Sequence, residues 1–321
     1  MKTVNIVLAT YKPNIIFFEK LLKSLNDQTY KKIKLIVRDD SDDNEEFEKI
    51  RVLINEIIIA FDFEIFKNDK NLGSNKTFEE LTKDANAEYI AYCDQDDIWE
   101  KEKITKLVYA IESGDAVLSY SDLSIIDEKD KLTANSFKDI HKRLKHLEGH
   151  NLFQYFLRRN SVTGCTMLIK SEIAKKAIPF CNDYYVHDHW LALFASSLGT
   201  IVYVPEPLIM YRIHGENQIG VSMLSSIECK EDYYRKKLLK EKVKYNYLLG
   251  NYKFEADCRE LIKKTLCWTE ERIHFFENKN INTSISMVKK IKDDYQLILL
   301  EIAINYLPNS LSRRVISKLK K

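Results

Sequence analysis

The sequence predicts an α/β fold in which helices flank a mostly parallel sheet, followed by a smaller helical appendage. Over roughly the first 120 residues, short apolar runs typical of buried strands alternate with amphipathic segments typical of helices. Polar clusters follow three of those runs, and the last hundred residues are charged with helical spacing. A chain of 321 residues that is 45% hydrophobic can bury the core of a large domain and an appendage. We therefore expect one domain over residues 1–221 and a helical region over residues 222–321.

The first strand–helix units begin close to the N-terminus. Val4–Ala9 is a near-continuous apolar run, as expected for a strand that is covered on both faces. Pro13 suits the first turn of the helix that follows. A second strand, Ile33–Val37, precedes a polar stretch in which Ser41 or Asp42 is suited to cap the next helix.

The same alternation continues through three more strands. Phe61–Phe66 and Tyr89–Cys93 are apolar runs, and the second leads directly into the acidic bend Asp94–Asp97. A helix over Glu100–Ser113 and a strand over Ala116–Tyr120 follow. Repeated units of this kind imply parallel strands with right-handed crossovers, and such sheets bind ligands beyond the carboxyl ends of their strands. The polar clusters lie at those ends.

The alternation is less regular after Leu132. The expected elements are a strand over Thr163–Lys170, a helix over Asp188–Leu198, and two short strands over Ile201–Val204 and Leu208–Ile213. From Ser225 onward the pattern is helical.

Composition excludes several classes of protein. The six cysteines are scattered without a Cys-x-x-Cys pair, which argues against a zinc ribbon or a disulfide framework and favours reduced thiols. No basic run is interleaved with aromatics, so we expect no nucleic-acid partner. The N-terminus has no signal-peptide pattern, and we expect a cytoplasmic protein. The net charge of +2 is uneven, because residues 222–321 carry +8 and the remainder −6.

Phosphate binding needs an explanation other than a glycine-rich loop. The chain has 8 glycines and neither a Gly-x-Gly-x-x-Gly nor a Gly-x-x-x-x-Gly-Lys-Ser/Thr motif. The bend Asp94–Asp97 offers hard oxygen ligands that suit Mg²⁺ or Mn²⁺. Asp94 and Asp96 are two residues apart and face the same side in extended geometry. An acidic turn that merely caps the following helix is the alternative.

Six motifs together resemble a known family. In chain order they are Ile6–Tyr11, Ile36–Ser41, Asn71–Gly73, Cys93–Trp99, His187–Trp190 and Tyr211–Gly215. This combination resembles the family 2 glycosyltransferases of the Rossmann-like GT-A fold, and within them a rhamnosyltransferase-like branch of bacterial polysaccharide enzymes. The resemblance covers roughly the first 220 residues, and the C-terminal region carries no motif that can be placed.

The resemblance implies an inverting, metal-dependent transfer of a sugar from a nucleotide-diphosphate donor to a saccharide or a lipid-linked saccharide. The implied roles are donor binding for Thr10, Tyr11, Asp39, Asn71, Asp94 and Arg212, metal binding for Asp96 and His214, and general-base catalysis for Asp188. Inverting transfer needs a carboxylate that takes the acceptor proton, separate from the metal ligands.

Alternatives stay open at several of these positions. Asp188 also suits the N-cap of the helix that follows, and His187 or His189 is an alternative base. Where the family often has Ser or Thr after its Arg-x-His segment, this chain has Gly215, Glu216 and Asn217.

The donor and the cellular partner are also open. For the donor we favour deoxythymidine-diphosphate β-L-rhamnose on branch resemblance, with UDP-galactose, UDP-glucose or a non-catalytic nucleotide-sugar-binding role as alternatives. The segment Leu311–Leu319 has the spacing of an interfacial helix with basic residues at its edge. It predicts peripheral contact with the inner face of the cell membrane.

Overall fold

The computed structural model describes residues 1–142, 144–215, 226–290 and 294–319. The chain divides into two compact units, Met1–Gly215 and Glu216–Lys321. The boundary expected between residues 221 and 222 lies outside the described residues.

The described residues of the N-terminal unit form nine strands and the helices between them. The strands are β1 (Val4–Thr10), β2 (Ile33–Asp39), β3 (Asp62–Lys67), β4 (Tyr89–Cys93), β5 (Ile98–Trp99), β6 (Leu118–Ile126), β7 (Leu132–Ala134), β8 (Met167–Lys170) and β9 (Ile201–Arg212). The helices are α1 (Ile15–Asn26), α2 (Asn44–Ile57), α3 (Ser74–Asp84), α4 (Lys103–Ser113), α5 (Phe137–Ile140), α6 (Phe153–Phe156), α7 (Ser171–Lys176) and α8 (His187–Ser196).

The strands form a mixed sheet in the order β3-β2-β1-β4-β8-β6-β9-β5, with β7 paired to β6. Strands β3, β2, β1 and β4 are mutually parallel, and β6 is parallel to β9. The short strand β8 lies antiparallel between β4 and β6. The predicted fold class, a mostly parallel sheet flanked by helices, is confirmed. The carboxyl ends of β1, β2, β4 and β6 all lie at the same edge of the sheet.

Two helix starts differ from the prediction. Asn14 caps α1: its side chain accepts hydrogen bonds from two backbone amides of the first turn. Pro13 therefore precedes the helix and is not in its first turn. Asp43, rather than Ser41 or Asp42, caps α2. In both cases the N-cap has a short polar side chain that accepts hydrogen bonds, as is favoured at this position, and for α2 the cap lies one residue after the predicted ones.

Three strands differ in extent from the prediction. The expected strand Ala116–Tyr120 begins at Leu118 and runs on to Ile126. The two short strands expected after α8 are one strand, β9, whose register against β6 shifts opposite Pro205–Pro207. Proline lacks the amide that a regular ladder needs, which explains the bulge. The expected strand Thr163–Lys170 begins only at Met167, after a 3₁₀ turn over Gly164–Thr166.

The C-terminal unit is helical, as predicted. Its elements are α9 (Lys230–Asp232), a π-helix (Tyr233–Leu239), α10 (Lys240–Asn251), α11 (Ala256–Glu277), α12 (Ile281–Lys289), α13 (Tyr295–Tyr306) and α14 (Asn309–Leu319). Its core encloses Arg272, whose guanidinium bonds Glu301 and Glu241. Within the described ranges, no helix combines the length and apolar character required to cross a bilayer.

Candidate active site

A hydrogen bond between a hydroxyl and a carboxylate connects the C-terminal ends of β1 and β2. Thr10 and Asp39 are register partners, and Thr10 Oγ1 donates a 3.0 Å hydrogen bond to Asp39 Oδ1. The Ser41 hydroxyl donates to the other carboxylate oxygen. Burial raises the pKa of Asp39, and these two hydroxyl groups oppose that shift. Both predicted donor-binding residues are thus fixed side by side at the open edge of the sheet.

The next residue, Asp40, shapes the loop that contains Asn71. Its carboxylate accepts hydrogen bonds from the amides of Leu72 (2.7 Å) and Gly73 (2.8 Å). Asn71 Oδ1 also accepts from the Gly73 amide at 3.0 Å, and Gly73 has a φ of +78°, which favours glycine. Asn71 therefore helps to form the loop, and its contact with the donor stays a prediction. Sequence reasoning missed Asp40, although two adjacent aspartates after a strand were a visible signal.

Tyr11 connects the end of β1 with the acidic bend. Its amide donates to Gln95 Oε1 at 2.8 Å, and Gln95 Nε2 donates back to the Tyr11 carbonyl at 3.2 Å. The Tyr11 side chain is exposed. This pairing leaves the phenol ring available at the open edge of the sheet.

The carboxylates of the bend point to different surroundings. Asp97 is fully buried and accepts the Arg212 amide at 3.1 Å, so it ties the bend to the end of β9. Asp94 is half-buried, and its pKa rises to about 7 because of desolvation and the nearby carboxylates of Asp96 and Asp188. The bend therefore concentrates negative charge that a bound cation would relieve.

Asp96 meets the imidazole predicted as its fellow metal ligand. His214 Nε2 lies 2.7 Å from Asp96 Oδ2, and both side chains are mostly shielded from solvent. The His214 ring also lies against Phe17, with ring centroids 5.6 Å apart. A carboxylate oxygen suits Mg²⁺ or Mn²⁺, and an imidazole nitrogen is a ligand of divalent first-row transition metals.

A second group of potential ligands lies deeper. Among the described residues, ligand atoms of Asp94, Asp97 and Cys165 lie within 4.8 Å of one another. Burial raises the pKa of the Cys165 thiol, which keeps it protonated, and a thiol is a poor ligand for hard cations. The pair Asp96 and His214 therefore fits a hard divalent ion better than the deeper group does.

Arg212 lies in the wall of the site. Its side chain is fully buried over the Phe17 ring, with Nε donating to the Asp96 carbonyl at 2.9 Å and Nη1 to Asp130 Oδ1 at 2.5 Å. These bonds hold the acidic bend against the turn at Asp130. The predicted contact of Arg212 with the donor phosphate stays a prediction, and the observed bonds give this residue a positioning role.

Asp188 lies in the first turn of α8 and faces the site. Asn160 Nδ2 donates to its Oδ1 and the Gly164 amide to its Oδ2, each at 3.1 Å. Val186 is the N-cap of α8, so the alternative that Asp188 caps this helix is wrong. Desolvation raises the pKa of Asp188 to about 6, although these hydrogen bonds oppose the shift. Sequence reasoning missed Asn160 and Gly164, because their contacts with Asp188 exist only in the folded chain.

The two flanking histidines are engaged elsewhere. His187 is buried and stacks on Phe78 with ring centroids 4.1 Å apart, and burial lowers its pKa to about 3. His189 Nε2 lies 2.5 Å from the Phe156 carbonyl. Of the three adjacent side chains, Asp188 has the pKa and the position that best suit a general base.

Comparison with known proteins assigns the family. A family model described as "Glycosyl transferase family 2" matches residues 6–176, which include the Thr10, Asp39 and Asp94–Asp97 positions. The chain belongs to glycosyltransferase family 2. It therefore transfers a sugar from a nucleotide-sugar donor.

Two curated family 2 relatives are similar over part of the chain. The dTDP-rhamnosyl transferase RfbG of Shigella flexneri is 28% identical over 256 residues, or 73% of this chain and 80% of the relative. The UDP-Glc:alpha-D-GlcNAc-diphosphoundecaprenol beta-1,3-glucosyltransferase WfaP of Escherichia coli is 30% identical over 137 residues, or 43% of this chain and 51% of the relative.

Solved structures share the glycosyltransferase fold. TarS from S. aureus in complex with UDP-GlcNAc has a TM-score of 0.57 at 14% identity and covers 99% of this chain and 91% of its own. The mannosyltransferase PcManGT from Pyrobaculum calidifontis, in complex with GDP-Man and Mn²⁺, has a TM-score of 0.53 at 12% identity, covering 99% of this chain and 79% of its own. At these identities the likeness concerns the fold.

Proposed function

We propose that this glycosyltransferase moves L-rhamnose from dTDP-β-L-rhamnose onto a saccharide hydroxyl, with inversion, during the synthesis of a cell-surface polysaccharide. The similarity to RfbG over 73% of the chain supports this donor. The shorter similarity to WfaP supports UDP-glucose, or UDP-galactose, as the alternative donor. The observation that carries the mechanism is the presence of two acidic groups with different partners: Asp96, bonded to His214, and Asp188, bonded to the Gly164 amide.

The residues at the edge of the sheet would hold the donor. Thr10, Asp39 and Tyr11 suit the base and ribose, because a carboxylate flanked by two hydroxyl groups can accept a hydrogen bond from a pyrimidine. The Asn71 loop closes the same edge. Asp94, near Asp188, suits the ribose or the transferred sugar.

Asp96 and His214 would hold a divalent cation in place of the proton of their present 2.7 Å hydrogen bond. When Mg²⁺ or Mn²⁺ is bound there, it stabilises the negative charge that grows on the leaving diphosphate. The neighbouring Arg212 keeps the backbone of Asp96 in place.

Asp188 acts as the general base. The acceptor hydroxyl oxygen forms a bond to the anomeric carbon while the bond from that carbon to the diphosphate breaks. The hydroxyl proton passes to a carboxylate oxygen of Asp188. With a pKa of about 6, Asp188 is ionised at neutral pH and is a stronger base than an ordinary aspartate.

We also propose a saccharide or lipid-linked saccharide acceptor, and peripheral contact of this cytoplasmic enzyme with the inner membrane face through α14. Ile316 packs in the core of the helical unit, so the outward side of α14 presents Leu311 with Arg313 and Arg314. Exchanging both arginines for glutamate should reduce co-sedimentation with anionic vesicles. Undiminished co-sedimentation would remove α14 from the proposal.

A thermal-shift screen followed by turnover tests the donor. The protein is heated with dTDP-rhamnose, UDP-glucose, UDP-galactose or UDP-GlcNAc, each with Mn²⁺ or with EDTA. We expect the largest rise in Tm with dTDP-rhamnose and Mn²⁺, and hydrolysis or transfer of the same donor. A larger rise with a UDP-hexose selects the alternative donor. Donor binding without turnover on any acceptor would support a non-catalytic sugar-nucleotide-binding protein.

A further inference from the structure

A lysine with a fully buried side chain lies beneath the acidic bend. Lys103 is the first residue of α4, and its exposed fraction is 0%. Its Nζ donates a 2.6 Å hydrogen bond to the Cys165 carbonyl and lies 2.9 Å from the centroid of the Trp99 ring. An ammonium group is costly to bury unless its partners compensate for the lost water. A carbonyl and an aromatic face supply that compensation here.

The carbonyl that Lys103 holds belongs to the turn that holds Asp188. Cys165 is the middle residue of the 3₁₀ turn, and the amide of Gly164, one residue earlier, donates to Asp188 Oδ2 at 3.1 Å. Lys103 thus bonds the Cys165–Thr166 peptide group, and Asp188 bonds the Thr163–Gly164 peptide group at the start of the same turn. A shift of the turn would move the donor of that hydrogen bond relative to Asp188.

The other contact of Lys103 is with the acidic bend. Trp99 lies in β5, two residues after Asp97. The charge of Lys103 also attracts the carboxylates of Asp94 and Asp97: it opposes the rise in the pKa of Asp94. Burial lowers the pKa of Lys103 itself to about 7, and the two carboxylates oppose that shift. Lys103 therefore contacts the turn that bonds Asp188 and interacts with the acidic bend that carries Asp94 and Asp97.

We propose that Lys103 is a positioning residue for sugar transfer, because it fixes the turn Gly164–Thr166, and through it Asp188, relative to the acidic bend. This inference rests on the proposed role of Asp188 as the base. The side chain of Lys103 is fully buried, so it affects the reaction only through the Cys165 carbonyl and the acidic bend that it contacts. Its removal should therefore impair the transfer step more than donor binding.

The test compares Lys103→Met with the wild-type enzyme. Methionine keeps much of the length and removes the hydrogen bond and the charge. We expect kcat to fall about tenfold or more while the donor KM changes less than about twofold, because small misplacement of a reacting group is costly. We also expect the acid limb of the kcat–pH profile to move to higher pH, since the Gly164 hydrogen bond lowers the pKa of Asp188. Among the other titratable groups around Asp188, His187 and His189 keep their contacts in this variant, whereas the pKa of Asp94 rises because the charge of Lys103 is lost.

The matched control is Lys244→Met. Lys244 is a buried lysine of the helical unit whose Nζ lies 4.8 Å from the centroid of the Tyr245 ring, so it controls for the loss of a buried lysine as such. We expect unchanged kcat in this control. Should Lys103→Met fail to fold, Lys103→Gln keeps an N–H donor on a shorter chain, and we expect at least about a threefold loss of kcat.

A folded Lys103 variant with wild-type kcat and an unmoved acid limb would overturn the inference. An equal loss in Lys244→Met would also overturn it, because the effect would then be one of general stability. If the wild-type enzyme itself fails to turn over any nucleotide sugar, the proposed function fails instead, and the two failures are thus distinct.

Discussion

His214 Nε2 lies 2.7 Å from Asp96 Oδ2, although the two residues are 118 positions apart in the chain. Arg212, two residues before His214, fixes the same bend through its bond to the Asp96 carbonyl. One strand end, that of β9, therefore supplies both an imidazole and the group that orients its partner. This relationship makes the metal proposal testable at single residues.

Replacing Asp96 or His214 by alanine should abolish metal-dependent donor binding. Each substitution removes one of the two side chains that fit a hard divalent ion. Titration calorimetry with the donor and Mn²⁺ measures the loss, and the same titration with EDTA gives the metal-independent baseline. The control is Asp62→Ala, which removes an exposed carboxylate on β3 at the far side of the sheet. Metal-dependent binding that persists in Asp96→Ala would shift the site to Asp94, Asp97 and Cys165.

The Asp188→Asn variant should bind the donor and fail to transfer the sugar. Asparagine keeps the size of the side chain and can still accept the hydrogen bond from Gly164, but it cannot take a proton. We expect kcat to fall by about 10²- to 10⁴-fold, the usual range for general-base catalysis. Turnover with a radiolabelled donor and calorimetry on the same preparation measure both quantities. An active Asp188→Asn enzyme would contradict the base assignment.

The rate should decline on the acid side of about pH 6. The pKa of Asp188 is raised to about 6, so the carboxylate is ionised and able to accept a proton above that pH and loses this ability below it. The profile of kcat between about pH 4.5 and pH 8 at saturating donor checks this expectation. A rate that stays level down to about pH 4.5 would indicate an ordinary aspartate or another base.

Much of the fold and part of the site could be predicted from sequence. The runs of β1 and β4 are apolar throughout, and the acidic bend follows β4 directly, so local pattern placed both. The position of β8 could not be predicted, because its antiparallel insertion between β4 and β6 depends on pairing between residues far apart in the chain. The residues of a short strand do not indicate whether it pairs in a parallel or an antiparallel direction.

The same limit applies to the site. Asp96 and Asp188 belong to recognisable motifs. The roles of Asn160, Gly164 and Lys103, in contrast, depend on contacts with residues that are 24 to 62 positions away in the sequence. Lys103 in particular has the sequence appearance of a solvated residue at a helix start, and its burial follows only from the turn that packs over it.

Gly164 should be intolerant of a side chain. A Cβ atom at this position would lie 2.6 Å from His187 Nε2 and 3.6 Å from Asp188 Cβ, and the His187 ring is itself stacked on Phe78. We expect Gly164→Ala to lower the free energy of unfolding by about 1–3 kcal/mol, as overpacking does, and to reduce kcat because Asp188 is displaced. Urea unfolding and turnover measure the two effects.

Gly250 provides the matched control for that substitution. It lies in α10, and a Cβ built there has no heavy atom within 4 Å apart from those of Gly250, its chain neighbours and the backbone of its own helix. Gly250→Ala should raise the free energy of unfolding by up to about 1 kcal/mol, because alanine is the better helix former. It should leave kcat unchanged. A Gly164→Ala enzyme that matched this control in both measurements would refute the close packing at His187.

Removing one partner of the buried ion pair in the helical unit should destabilise the unit more than removing both partners. Arg272 and Glu301 are almost fully buried; Arg272 Nε bonds both Glu301 oxygens at 3.0 Å, and the Tyr233 hydroxyl bonds Oε1 at 2.7 Å. Arg272→Met leaves the Glu301 carboxylate buried without its counter-charge. We expect it to destabilise the unit by about 3–5 kcal/mol, measured by urea unfolding. Arg272→Met with Glu301→Leu should recover much of that loss, because the Glu301 charge is removed together with its partner and Glu241 keeps its ion pair with Lys237. A double variant as unstable as Arg272→Met would mean that shape, rather than charge, sets the requirement at this position.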